Sequence, residues 1–129
     1  MNEIIYKVLT PEQWASAQDG GPVEAPVDRA DGYVHFSTAR TLQETLRKWF
    51  FGVDGCRLLA FDPSDFGADL VWEPARGGEL FPHVYGRVNA ALVLSTWRLD
   101  LGSEGFPTAP AEVVSGTWSP STRTGGMTP

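Results

Sequence analysis

Residues 41–51 carry the best helical period in this chain. Leu42, Leu46, Trp49 and Phe50 recur at i, i+4, i+7 and i+8, the apolar stripe of an amphipathic helix. Thr41-Leu42-Gln43-Glu44 supplies a capping-box start and Gly52 a stop. The flanking segments read as short elements punctuated by glycine and proline. Ile4-Ile5-Tyr6-Lys7-Val8-Leu9 is β-branched and aromatic, hence a strand. Thr10-Pro11-Glu12-Gln13 then starts a short helix over residues 11–18, with a hydroxyl cap, a proline in the first turn and a capping-box partner. Residues 19–31 read as a loop. Further strands are expected at 33–36, 57–61, 70–72, 81–85 and 91–99, with a turn at 62–65 and a glycine loop at 75–79. The order strand, helix, strand, helix, then mainly strands predicts an α+β fold with helices packed on a mixed sheet.

A chain of 129 residues fits one domain. Residues 1–101 are expected to form it, and residues 102–129, rich in Gly, Pro, Ser and Thr, to be an extension that is largely disordered or loosely packed. The balance of 10 basic against 16 acidic residues gives a charge of −6, with no run of Lys or Arg. A nucleic-acid partner is therefore not expected. The longest apolar run, from Ala90 to Leu94, is too short for a bilayer, and Met1-Asn2-Glu3-Ile4 does not read as a signal sequence. Cys56 is the single cysteine, so no internal disulfide can form. It precedes a strand-like stretch and reads as a small buried residue in a cytoplasmic protein.

Both histidines lie in compact polar-aromatic clusters. The first is Asp31-Gly32-Tyr33-Val34-His35-Phe36-Ser37-Thr38. The second is Trp72-Glu73 followed by Phe81-Pro82-His83-Val84-Tyr85-Gly86. In extended backbone Tyr33 and His35 share one face while Val34 and Phe36 take the other, towards the core. His83 and Tyr85 share a face in the same way. Imidazole changes charge near neutral pH, so two such clusters suggest one site assembled from distant segments, with Glu73 as its carboxylate and Ser37 and Thr38 as its hydroxyls. The competing reading is structural: satisfied histidines, a solvated Glu73, and Ser37 and Thr38 as helix caps. A metal held by His35, His83 and Glu73 ranks below an organic ligand, because no close ligand pair such as His-x-x-x-His exists. A small-molecule ligand is the expected partner.

Ile5-Tyr6-Lys7-Val8, Trp14, the stretch from Asp31 to Thr38, Thr45, Trp72-Glu73 and the stretch from Phe81 to Gly86 together resemble a small bacterial family, domain-of-unknown-function family 952. The resemblance spans roughly residues 4–99. It implies the ADP-ribosylation fold of NAD-dependent transferases: a split mixed or antiparallel sheet with two or three short helices. It further implies NAD as cofactor, held in the cleft of that sheet. His35 would grip a ribose, Ser37 and Thr38 would shape the cleft, and Tyr33 or Tyr85 would stack on nicotinamide beside His83. Glu73 would be the catalytic carboxylate, acting with His35. Cleaving the nicotinamide bond builds an oxocarbenium-like cation, which a nearby carboxylate stabilises. Arg40, Arg76 or Arg87 would meet the pyrophosphate. The alternative is a module that binds a nucleotide or metabolite in the same cleft without turnover.

Overall fold

The computed structural model describes residues 3–120. The chain is α+β, and its strands form two antiparallel sheets. The first has four strands in the order β3-β1-β4-β7: β1 (Ile5–Leu9), β3 (Ser37–Thr38), β4 (Cys56–Phe61) and β7 (Ser95–Leu99). The second has three in the order β2-β6-β5: β2 (Val34–His35), β5 (Leu70–Pro74) and β6 (Leu80–Val84). Every pairing is antiparallel, so the expected mixed sheet is corrected.

Helix α1 (Pro11–Gln18) forms where its start signals lie. Thr10 Oγ1 accepts from the Gln13 N–H, and Gln13 Oε1 accepts from the Thr10 N–H. Helix α3 (Ala39–Trp49) starts before the expected Thr41, because Thr38 is its cap: Thr38 Oγ1 accepts from the Thr41 N–H at 3.3 Å. Residues 19–31 are not all loop. Pro26–Asp31 is a helix, α2, with Pro26 in its first turn rather than acting as a breaker. Gly32 closes it at φ 88°, in the left-handed region where a side chain would be strained. The expected strand over 91–99 is shortened to β7, because Ala90–Leu92 forms a single 3₁₀ turn. In the stretch from residue 102 onward, Ala111–Val114 is a helix, α4, with Val113 fully buried. Trp118 packs edge-to-face on Trp97 there. Residues 121–129 lie outside the described residues.

β1 and β4 are the centre of the molecule, and their alternating side chains serve two cores. Tyr6, Val8, Leu58 and Ala60 pack with Leu42 and Leu46 of α3 and Val113 of α4. Ile5, Leu9, Leu59 and Phe61 pack with Val34, Phe36, Phe66 and Val84 on the other side. The three-stranded sheet thus lays its apolar face on the four-stranded one and turns its second face outward. Lys7 shares the inner face of β1 with Ile5 and Leu9, which puts an ammonium group between the sheets. Cys56 is free and fully buried, and burial pushes its thiol up to about 11, so it is inert. Among the described residues no helix is long and apolar enough to cross a membrane.

Candidate functional site

The outward face of the three-stranded sheet collects the two histidine clusters. His35 of β2 pairs directly with His83 of β6, and His83 pairs with Val71 of β5. Directly opposed residues share a face, so His35, His83 and the diagonal neighbour Glu73 all project outward. Val34 and Val84, one step along, point inward and are buried. The ring centroids of His35 and His83 are 5.2 Å apart, edge to face. Tyr33 lies against three rings: 4.6 Å from His35, 4.3 Å from His83 and 4.9 Å from Tyr85.

Each histidine is oriented by a carboxylate. His83 Nδ1 lies 2.6 Å from Glu73 Oε1, and the Tyr85 hydroxyl donates to the same carboxylate at 2.8 and 3.1 Å. The hydrogen bonds from His83 and then Tyr85 hold the Glu73 carboxyl below its usual range, and the Tyr85 phenol is raised by Glu73 in return. Glu73 is therefore ionised at neutral pH and accepts a hydrogen bond from His83 Nδ1, which turns the Nε2 edge of the ring away from the carboxylate. His83 is only 8 % exposed, yet no buried polar side-chain atom among the described residues lacks a partner. Its unpaired Nε2 therefore reaches solvent.

His35 is fixed by α2. Its Nδ1 lies 2.7 Å from Asp28 Oδ1, and its backbone N–H donates to the same oxygen at 3.0 Å. Its Nε2 lies 3.1 Å from Asp31 Oδ2. The other Asp28 oxygen accepts from Lys7 Nζ at 2.7 Å and from the Ala25 N–H at 2.7 Å. Lys7 also donates to the His35 carbonyl at 2.9 Å. Burial alone would raise the Asp28 carboxyl, but His35 and Lys7 outweigh it and hold it at about 2. Burial pushes the Lys7 amine down, against the pull of Asp28. Since the folded Asp28 titrates below its ordinary 3.8, its contribution is complete above pH 4 and is lost as pH falls towards 2. Acid titration followed by circular dichroism should show about 2 kcal/mol of stability lost in that window. A stability flat from pH 5 to pH 2 would contradict the assignment.

Tyr33, His35, Glu73, His83 and Tyr85 therefore come together, whereas Ser37 and Thr38 do not join them. Ser37 Oγ hydrogen-bonds Thr45 Oγ1 at 3.0 Å, and Thr38 is occupied as the α3 cap. Thr38→Ala should cost about 1 kcal/mol in a urea titration. Arg40 pairs with Glu79 at 2.6 Å, and Arg87 donates to Asn89 and to the Gly20 carbonyl. The Arg76 side chain lies outside the described residues. Among those residues, no group of three His, Cys, Asp or Glu side chains is placed to hold a metal ion. Two surface hollows border other parts of the chain. One, of about 360 Å³, is lined by Thr38, Arg40, Trp72 and Glu79. The other, of about 580 Å³, is lined by Gln13, Glu24, Pro26 and Arg29.

Asp28, Asp31 and Lys7 escaped the sequence reading as site residues. The available signal was Lys7 itself: a lysine amid Ile5, Tyr6, Val8 and Leu9 must be buried, and a buried ammonium needs a carboxylate.

A family model described as "Protein of unknown function (DUF952)" matches residues 8–96. The chain is 40 % identical to protein CC0527 from Caulobacter crescentus, with a TM-score of 0.78 to its crystal structure. That match covers 81 % of this chain and 93 % of the other. Against the solution NMR structure of CC0527 the TM-score is 0.72 at 40 % identity, over 81 % of this chain and 91 % of the other. No curated protein matches the chain.

Proposed function

Because the chain belongs to the DUF952 family, we propose that the outward face of its three-stranded sheet is the ligand site of a cytoplasmic protein with the ADP-ribosylation fold, that NAD is the ligand, and that ADP-ribose is transferred from it. One observation carries the reading: the rings of two histidines from distant segments stand 5.2 Å apart, each backed by a carboxylate, with the Tyr33 ring tilted against both. Paired imidazoles oriented by carboxylates are suited to moving protons, and the tyrosine rings to stacking on a flat base.

In this reading the bond between nicotinamide and ribose C1′ breaks, and its electron pair leaves with the neutral nicotinamide. Water or an acceptor hydroxyl forms the new bond to C1′. His83 Nε2 takes the proton from that nucleophile, and Glu73 stabilises the imidazolium that results. The Glu73 charge also offsets the cation developing at C1′. Tyr33 and Tyr85 border the ring, and His35 holds a ribose hydroxyl once Asp31 gives way.

Isothermal titration with NAD, followed by an assay for released nicotinamide, tests both halves. Saturable heat and release, each diminished in His35→Ala, are expected. An absence of heat at millimolar NAD would refute the reading. A second reading, binding without turnover, is favoured by one feature: both Glu73 oxygens already accept hydrogen bonds, from His83 and Tyr85. In that case NAD binds, no nicotinamide appears, and Glu73→Gln leaves affinity nearly unchanged.

A further inference from the structure

We infer that the free edge of β5 is a docking strip for an extended peptide of another protein, which adds to the three-stranded sheet as a further strand and sets a basic side chain beside Glu73. The inference goes beyond the NAD reading and does not depend on it.

In antiparallel pairing, successive residues turn their backbone groups to opposite sides of the strand. Two bonds at its ends fix which way each residue of β5 turns. The Tyr85 N–H donates to the Asp69 carbonyl, and the Ala75 N–H donates to the Glu79 carbonyl. Val71 and Glu73 therefore bond to β6, while Leu70, Trp72 and Pro74 turn their backbone groups to the open side. The same rule holds at the opposite edge. The Phe36 N–H donates to the Pro82 carbonyl, so the backbone of His35 turns away from β6. There the protein closes its own edge: Asp28 Oδ1 accepts from the His35 N–H, and Lys7 Nζ donates to the His35 carbonyl. Nothing comparable covers β5. Among the described residues, no hydrogen bond from outside the sheet reaches the Trp72 N–H or the carbonyls of Leu70, Trp72 and Pro74. Val71 and Trp72 are 38 % and 37 % exposed. An exposed strand with open backbone groups is a template for another strand.

The edge also selects which strand fits. Its only donor is the Trp72 N–H, because Pro74 has no N–H and the Leu70 N–H is spent on the Gly67 carbonyl. Its acceptors are the carbonyls of Leu70, Trp72 and Pro74. A second copy of β5 is therefore a poor partner. Paired antiparallel about Trp72, it sets Leu70 against Pro74, and only the mutual Trp72 bonds form. A foreign strand with an N–H at each alternate residue makes those bonds and also reaches the Leu70 and Pro74 carbonyls. Its intervening residues join the outward face, opposite Val71 and Glu73. An apolar side chain suits the first and a basic one the second, against a chain of net charge −6. The residue opposite Trp72 lies on the inner face, where an aromatic ring suits the indole.

The probe is an acetylated, amidated heptapeptide, Thr-Val-Lys-Tyr-Val-Thr-Lys, titrated without NAD into the nitrogen-15-labelled full chain. The Trp72 amide should shift saturably, and its exchange with solvent should slow. N-methylation of the peptide's tyrosine removes the donor to the Trp72 carbonyl and should weaken binding about tenfold. N-methylation of either neighbour of that tyrosine, whose N–H faces away from β5, should leave affinity nearly unchanged. Replacing the lysine before the tyrosine by glutamate should weaken binding about fivefold, and Glu73→Gln should shrink that difference. A Trp72 amide unmoved at millimolar peptide, equal losses on methylating alternate and intervening residues, or a chain already dimeric through β5 would each overturn the inference. Its failure is distinct from that of the NAD reading. Peptide binding by a chain that gives no heat with NAD leaves the docking strip in place, and NAD binding by a chain that ignores the peptide leaves the nucleotide.

Discussion

Replacing Asp28 with alanine is expected to cost about 3–5 kcal/mol of stability, the largest loss of any polar substitution near the site. Asp28 is 2 % exposed and Lys7 5 %. Removing the carboxylate leaves an ammonium buried between two sheets with only the His35 carbonyl as partner. It also orphans the Ala25 N–H at the start of α2 and frees the His35 ring. Thermal melting should fall by roughly 10–20 °C for a domain of this size. The double variant Lys7→Met/Asp28→Ala separates causes. Replacing a buried charge pair by apolar groups can be near neutral, but here the Ala25 and His35 N–H groups stay without an acceptor, so only the share of the loss due to the unpaired ammonium should return. His35 would still be unsupported, so ligand affinity should not return with it. A single Asp28→Ala variant that melts within about 1 kcal/mol of the parent would show that Lys7 finds water, and that the pair does not hold the sheets.

Within the proposed transfer chemistry, the second large effect belongs to His83. His83→Gln keeps much of the bulk beneath Tyr33 but removes the imidazole. Release of nicotinamide should fall about a hundred- to ten-thousandfold, the range typical of a lost general base. NAD affinity should change far less, because the tyrosine rings and His35 stay. Glu73→Gln should lower turnover in the same direction, since an amide neither orients the Nδ1–H as well nor stabilises the imidazolium. Full activity in His83→Gln would remove the histidine from the chemistry and favour binding alone.

The sequence showed the parts of this site more readily than the frame that holds them. Alternation along Tyr33-Val34-His35-Phe36 sets the two aromatic side chains opposite the two core residues. The same logic at His83 and Tyr85 makes one shared face conceivable. That His35 and His83 stand directly opposite is a matter of register between β2 and β6, and no local pattern encodes it. Helix α2 was hidden because six residues are too few to display a period, and Pro26 looks like a breaker when it is a first-turn residue. Missing α2 meant missing Asp28 and Asp31, and with them the reason for a lysine inside β1. By sequence alone Ser37 and Thr38 fit both a site hydroxyl and a helix cap. Their bonds to Thr45 and Thr41 give them to α3, which begins sooner than its apolar stripe indicates. The capping box at Thr10 was legible because all of its groups lie within four residues.

The family relation and the antiparallel two-sheet architecture are independent of the functional proposal, which stands or falls at the outward face. Because the chain has only two histidines, their ring resonances are a direct probe of it. Nitrogen-15-edited NMR of the full chain, titrated with NAD, should move both histidine signals saturably along one binding curve. The His83 Nε2 signal should move most. If neither ring responds at millimolar NAD while resonances elsewhere shift, the ligand binds at another surface and the site described here is not the functional one.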